Sequence, residues 1–267
     1  FPAREAIVMQ QQNRGVMDVT ADEVFIGNGV SELIDLTLRA LLNTDEEVLV
    51  PSPDYPLWSA SVALNRGKAR YYHCNPENGF QPDPEEIASL ISPRTRAIVL
   101  INPNNPTGAV YSEELLRAIA AIAETHQLVV FSDEIYDSMV YGDAKHIPMA
   151  TIVGDTLCAT FGGLSKVYRA CGYRVGWVSF SGEKERAADY IHAVELLASL
   201  RLCSNVPGQW AVQTALGGYQ SIRELVGNDG RLHASRQAVI DACAASRYLD
   251  LVEPDGAMYA FPGVNTE

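Results

Sequence analysis

The sequence has no apolar run of the roughly 18 residues a bilayer span requires. Its first residues, FPAREAIVMQQQNRG, show no basic-then-apolar leader pattern. Basic residues are scarce, with 20 Lys and Arg against 33 Asp and Glu and a formal charge of −13. That balance argues against nucleic acid or an anionic membrane as a partner, because either would need a broad positive surface. Cysteines number five, at 74, 158, 171, 203 and 243, with no C-x-x-C pair and no histidine at ligand spacing. They are expected to be buried small hydrophobes in a reducing, cytoplasmic compartment rather than a disulfide framework or a zinc site. The histidines at 73, 126, 146, 192 and 233 form no spaced pair and are assigned no metal. Internal repeats and low-complexity segments are lacking too. So is an initiator Met, and a chain that opens on Phe1-Pro2-Ala3-Arg4 is expected to be cut from something longer.

What is present is a core. Apolar residues make up 47% of the 267 positions and charged ones 20%, a balance typical of folded globular proteins. Short β-rich runs at 24–26, 48–50, 69–73, 97–101, 128–132, 156–161 and 174–180 alternate with helical patterns at 31–42, 55–64, 84–91, 112–125 and 183–200. Strands apolar on both faces, joined by crossover-length helices, predict a mainly parallel seven-stranded sheet in a three-layer α/β/α domain. Ser112 is placed to cap its helix, with Glu113 and Glu114 in the first turn. After Pro207 the pattern turns to helices at 208–217 and 231–247 and short strands at 251–253 and 258–261. The break Gly227-Asn228-Asp229-Gly230 divides a large domain, 1–227, from a small one beginning at 228. One helix and two strands cannot close a core, so the small domain is expected to be incomplete. Trp58, Trp177 and Trp210 are expected to be core or interface aromatics.

Ligands of parallel sheets sit at the carboxyl ends of the strands, and four such places carry polar residues. Gly27-Asn28-Gly29-Val30-Ser31 leads from a strand into a helix, a junction whose free N–H groups suit an anion. Asn102-Pro103-Asn104-Asn105-Pro106-Thr107-Gly108 is a stiff turn. Asp133-Glu134-Ile135-Tyr136 sets carboxylates just past an apolar strand, and Ser165-Lys166 follows Gly162-Gly163-Leu164, with Arg174 eight residues on. Taken singly, each has a plain structural reading: a turn, a helix cap, a solvated charge.

Together, and with Pro51-Ser52-Pro53-Asp54-Tyr55-Pro56, these motifs resemble the class I/II aminotransferases, fold-type I proteins that use pyridoxal 5′-phosphate (PLP). The spacings agree: 28 residues from Asn105 to Asp133, three from Asp133 to Tyr136, eight from Lys166 to Arg174. The resemblance covers essentially the whole chain. It implies that Lys166 forms the aldimine and shuttles the substrate proton, that Asp133 pairs with the pyridine nitrogen, and that Asn105 and Tyr136 hydrogen-bond the phenolic oxygen. Tyr55 would stack on the ring, and Arg174, Ser165, Gly29, Val30 and Ser31 would hold the phosphate. Asn105 is also expected at the substrate. Where the family often has a hydroxyl three positions before the lysine, this chain has Gly163. The family's N-terminal closing segment and C-terminal carboxylate-binding arginine lie outside the sequence, and Pro254-Asp255-Gly256-Ala257-Met258-Tyr259 resembles the strand that precedes that arginine.

Within the family, residues 195–207 and 213–220 resemble bacterial glutamate–pyruvate (alanine) aminotransferases. The implied activity is amino-group transfer between L-alanine and 2-oxoglutarate by a ping-pong route, in a homodimer with shared active sites. Another PLP-dependent reaction such as C–S β-elimination, and a non-catalytic effector domain of a transcription regulator, stay open. Arg201 is expected to be an ordinary surface arginine.

Overall fold

A computed structural model describes residues 1–266 of the chain. Seven strands form one sheet: β1 (Val24–Gly27), β2 (Glu47–Ser52), β3 (Lys68–His73), β4 (Thr95–Ile101), β5 (Val129–Asp133), β6 (Cys158–Gly163) and β7 (Gly176–Ser181). Their order is β1-β7-β6-β5-β4-β2-β3. Strands β2 to β6 pair in parallel, and β7 runs antiparallel to both β1 and β6. The expected mainly parallel α/β sheet is therefore present.

The alternation of side chains along β4 shows why both faces are covered. Ile98 and Leu100 join one cluster with Leu115, Leu116 and Ile119, while Ala97, Val99 and Ile101 join another with Leu33, Ile34, Trp58 and Val62. A strand with two apolar faces needs a helix layer on each. The helices are α1 (Pro2–Asn13), α2 (Val30–Leu41), α3 (Pro56–Leu64), α4 (Pro84–Leu90), α5 (Glu113–Thr125), α6 (Ala188–Ser199), α7 (Val206–Gly217), α8 (Ile222–Val226) and α9 (Arg231–Ala244). Helices α2 and α3 cover the second face, and α5 covers the first, its start fixed by Ser112 Oγ accepting the Leu115 N–H at 3.2 Å. Such a cap contributes about 1 kcal/mol. A third cluster packs α1 and α7 against β1 and Trp177.

Several sequence expectations are corrected. The helix expected from 183 starts only at Ala188, and the one expected to reach 247 stops at Ala244. Helix α7 begins two residues early, because Pro207 fits a first helical turn and Asn205 Oδ1 accepts the Gly208 N–H at 3.1 Å. The strands expected at 251–253 and 258–261 do not form; instead β8 (Leu249–Asp250) pairs with β9 (Gly263–Val264). The intervening backbone bonds to loops of the large sheet: Gly108 O accepts the Asp255 and Gly256 N–H groups, and Met139 O accepts that of Ala257. Cys171 and Cys203 are exposed rather than buried, since both fall in connections outside the sheet. Trp58 and Trp177 are core residues, whereas Trp210 is exposed. Among the described residues, no helix is long and apolar enough to cross a membrane.

Candidate active site

Strands β4, β5 and β6 end on one edge of the sheet, and the antiparallel β7 begins there, with Gly176 opposite both Gly27 and Gly163. The four polar segments picked out in the sequence therefore meet. A cavity of about 210 Å³ is lined by Val30 and Ser31 from α2, Tyr55 before α3, Asn105 after β4, Asp133 and Tyr136 at the end of β5, Ser165 and Lys166 after β6, and Arg174 before β7. Every candidate residue except Gly29 lines it. A larger hollow of about 800 Å³ flanks α1 and α7, but its one charged side chain is Glu5, so it offers no comparable chemistry.

Asp133 is buried at the end of β5, where Oδ2 accepts the Trp58 indole N–H at 3.2 Å and Oδ1 the Ile135 N–H at 3.4 Å. Burial pushes its carboxyl up to about 6, against the lowering pull of these donors and of Lys166. A buried carboxylate with so little compensation is costly to ionise unless a positive group faces it. Lys166 is half-buried, with Nζ 5.8 Å from the centre of the Tyr136 ring.

The three asparagines of the proline-rich turn divide their work. Asn102 Oδ1 accepts the Tyr111 N–H at 3.0 Å, and Asn104 holds both the Thr107 N–H and hydroxyl. Asn105 makes no side-chain hydrogen bond among the described residues and faces the cavity.

The start of α2 has the chemistry of an anion cradle. Gly29, at φ 83°, provides no side-chain cap, and a Cβ there would come within 2.3 Å of Arg174 Nη2. The glycine thus lets the guanidinium lie over the helix N-terminus, where the helix dipole already favours negative charge. Arg174 itself sits in the left-handed region at φ 49°, with Nη1 donating to Cys171 O at 2.8 Å and Nη2 to Asn28 O at 3.3 Å. No carboxylate pairs with it among the described residues. At Gly163 a Cβ would meet Val175 O at 2.9 Å and Gly176 Cα at 3.1 Å, so no hydroxyl side chain fits there.

Three features lay outside the sequence reading. Tyr259 enters the cavity, its hydroxyl 2.7 Å from that of Tyr136. Burial, then this contact, raises the Tyr136 hydroxyl far above the usual tyrosine range. Behind the cavity, Glu134 accepts from the Ser132 hydroxyl and the Met149 N–H, both at 2.9 Å, with His146 Nε2 at 3.5 Å. Arg14, from the end of α1, forms an ion pair with Asp137; burial would lower its pKa, but Asp137 and Glu134 outweigh burial and raise it. Arg201 is not free on the surface either: it is tied to Glu32 at 2.9 Å and to Ile26 O at 2.7 Å, bracing α2 and β1. Contacts spanning more than a hundred residues, such as Tyr136–Tyr259 and Arg14–Asp137, leave no spacing signal to find.

A lysine and an under-compensated aspartate facing one cavity at the edge of this sheet, beside a helix N-terminus and an arginine, belong to the fold-type I aminotransferase architecture. A crystal structure of an aminotransferase from Escherichia coli superposes with a TM-score of 0.97 at 52% identity, over 98% of this chain and 65% of that one. The chain belongs to the family described as aminotransferase class I and II, whose model matches residues 3–267. Among curated relatives it is 51% identical to the glutamate-pyruvate aminotransferase AlaA of E. coli K12 over all 267 residues, which are 66% of that protein. It is 50% identical to an alanine aminotransferase of Mycobacterium tuberculosis H37Rv over 99% of this chain and 62% of that protein. The chain thus spans less than two thirds of the length of these relatives.

Proposed function

We propose that the protein is a PLP-dependent aminotransferase that moves an amino group between L-alanine and 2-oxoglutarate in two ping-pong half-reactions. The observation that carries this reading is Lys166 and Asp133 facing one cavity beside the α2 N-terminus and Arg174. The names of the half-identical relatives support alanine as the amino donor.

The residues fit the cofactor. Its phosphate would take the uncapped N–H groups of Val30 and Ser31 at the Gly29 junction, the Arg174 guanidinium and the Ser165 hydroxyl. The buried Asp133 carboxylate would accept the pyridine N–H, which relieves the cost of its ionised form. Asn105 and Tyr136 would donate to the phenolic oxygen, and Tyr55 would cover the ring face. When bound, PLP supplies an electron sink for charge at the substrate α-carbon. Lys166 would anchor the group and then take and return the α-carbon proton, a task suited to an amine lining this cavity. Trp58 keeps Asp133 facing the cavity through its indole N–H.

Residues 1–227 are read as the cofactor domain and 228–267 as the start of a small C-terminal domain. A homodimer is proposed, supported by Leu200, Leu202, Trp210 and Tyr219, each more than 70% exposed. A cytoplasmic location is proposed from five free cysteines.

The test is spectroscopic, on the full-length protein. PLP should give a visible band that L-alanine abolishes and 2-oxoglutarate restores, and Lys166→Ala should remove the band. Release of pyruvate and ammonia without a keto acid would instead indicate a lyase, and a wild type without a band would end the proposal.

A further inference from the structure

We infer that Tyr259 is a positioning residue, whose hydroxyl holds that of Tyr136 as a hydrogen-bond donor directed into the cavity. This rests on the function proposed above. The two oxygens are 2.7 Å apart and the rings meet edge to face, with centroids 5.6 Å apart at 84°. Each hydroxyl has one proton, so the pair has two arrangements. If Tyr136 donates to Tyr259, its proton is used up within the protein. If Tyr259 donates to Tyr136, the Tyr136 proton is free for an acceptor in the cavity, and the bond it receives makes it a better donor. An anionic phenolic oxygen selects the second arrangement.

The backbone holds Tyr259 in place from the other side. The segment 253–259 crosses the proline-rich turn, where Gly108 O accepts the Asp255 and Gly256 N–H groups at 2.9 and 2.8 Å. Gly108 is at φ 75°, and a Cβ there would meet Pro254 Cβ at 2.4 Å and Tyr259 O at 2.9 Å. The glycine three residues after Asn105 in the motif therefore also admits the loop segment that delivers Tyr259. Tyr141 adds a tie from its hydroxyl to Ala257 O at 2.9 Å. The groups facing Tyr136 are Asp133 from β5, Tyr55 from before α3, Lys166 from after β6 and Tyr259 itself.

The experiment follows the visible absorbance of the full-length, PLP-loaded protein against pH. Tyr259→Phe keeps the ring and removes the hydroxyl; the midpoint should rise by about half a pH unit, because a weaker Tyr136 donor stabilises the phenolic anion less. Tyr136→Phe should raise it further, and adding Tyr259→Phe to that variant should change nothing more. Tyr141→Phe loosens the same segment without touching the hydroxyl pair and should leave the midpoint in place. An unchanged midpoint in Tyr259→Phe overturns the inference, as does an equal shift in Tyr141→Phe. Thermal unfolding of the cofactor-free protein separates this from a failure of the functional reading. There the single losses of Tyr136→Phe and Tyr259→Phe should not add in the double variant, and strict additivity overturns the pairing whatever the cofactor.

Discussion

Asp133 and Glu134 are neighbours in sequence and both buried, yet they inhabit opposite environments. On the cavity side, Asp133 has an indole N–H and one long backbone contact, and its carboxyl is pushed up to about 6. On the α1 side, Glu134 accepts two hydrogen bonds at 2.9 Å and lies near His146 and the charge of Arg14. Asp133 is the last residue of β5 and Glu134 the first beyond it, so one residue step separates a poorly compensated carboxylate from a satisfied one. Under the proposed function, Asp133 is left short of partners because a bound cation supplies the missing one, while Glu134 is satisfied within the protein.

The largest test of this contrast is Asp133→Asn. Transamination by the full-length protein should fall about a thousandfold, as when a preorganised charge is lost from a site. Stability should move the other way. The folded pKa of Asp133 is raised, so its contribution to stability is fully present below about pH 4 and lost as pH rises through about 6. The cofactor-free Asn variant should therefore gain up to about 3 kcal/mol over wild type at pH 8, and almost nothing at pH 4, by denaturant unfolding. Equal stability of the two at pH 8 would remove the idea of a strained carboxylate.

Arg14→Ala should act with the opposite sign. It leaves Asp137 and Glu134 without their cation and should cost about 3 kcal/mol of unfolding free energy. If it instead stabilises, the two sides do not differ as described. Gly29→Ala touches the cavity side alone: forcing a side chain to φ 83° against Arg174 should cost about 1–2 kcal/mol and weaken PLP binding roughly tenfold, measured by cofactor titration. Ser112→Ala touches neither side, and its expected loss of about 1 kcal/mol, with PLP binding unchanged, sets the baseline.

Much of this architecture is legible in the sequence. The central strands are legible to within a few residues because they are apolar runs buried on both faces, whereas the edge strand β3 is largely exposed and reads from its β-forming residues alone. The residues after β1, β4, β5 and β6 stood out because polar side chains directly beyond apolar strands are hard to explain by packing. The ends of α6 and α9 were less legible, since helix limits depend on caps and neighbours rather than on periodicity. The strand expected at 258–261 does not form: its aromatics Tyr259 and Phe261 pack on Tyr136 and Phe80, which lie outside the strands of the sheet.

Periodicity, turn chemistry and motif order are local, and they alone determined that this chain is an α/β sheet protein with a lysine, an aspartate and a glycine-rich turn at strand ends. That Trp58 holds Asp133, that Arg14 and Glu134 lie in one polar group with Asp137, and that Tyr259 meets Tyr136 were decided only by tertiary structure. Those relations join residues that chain spacing does not connect. They exist because packing two helix layers onto one sheet brings distant segments together and leaves each buried polar group a particular, limited set of partners.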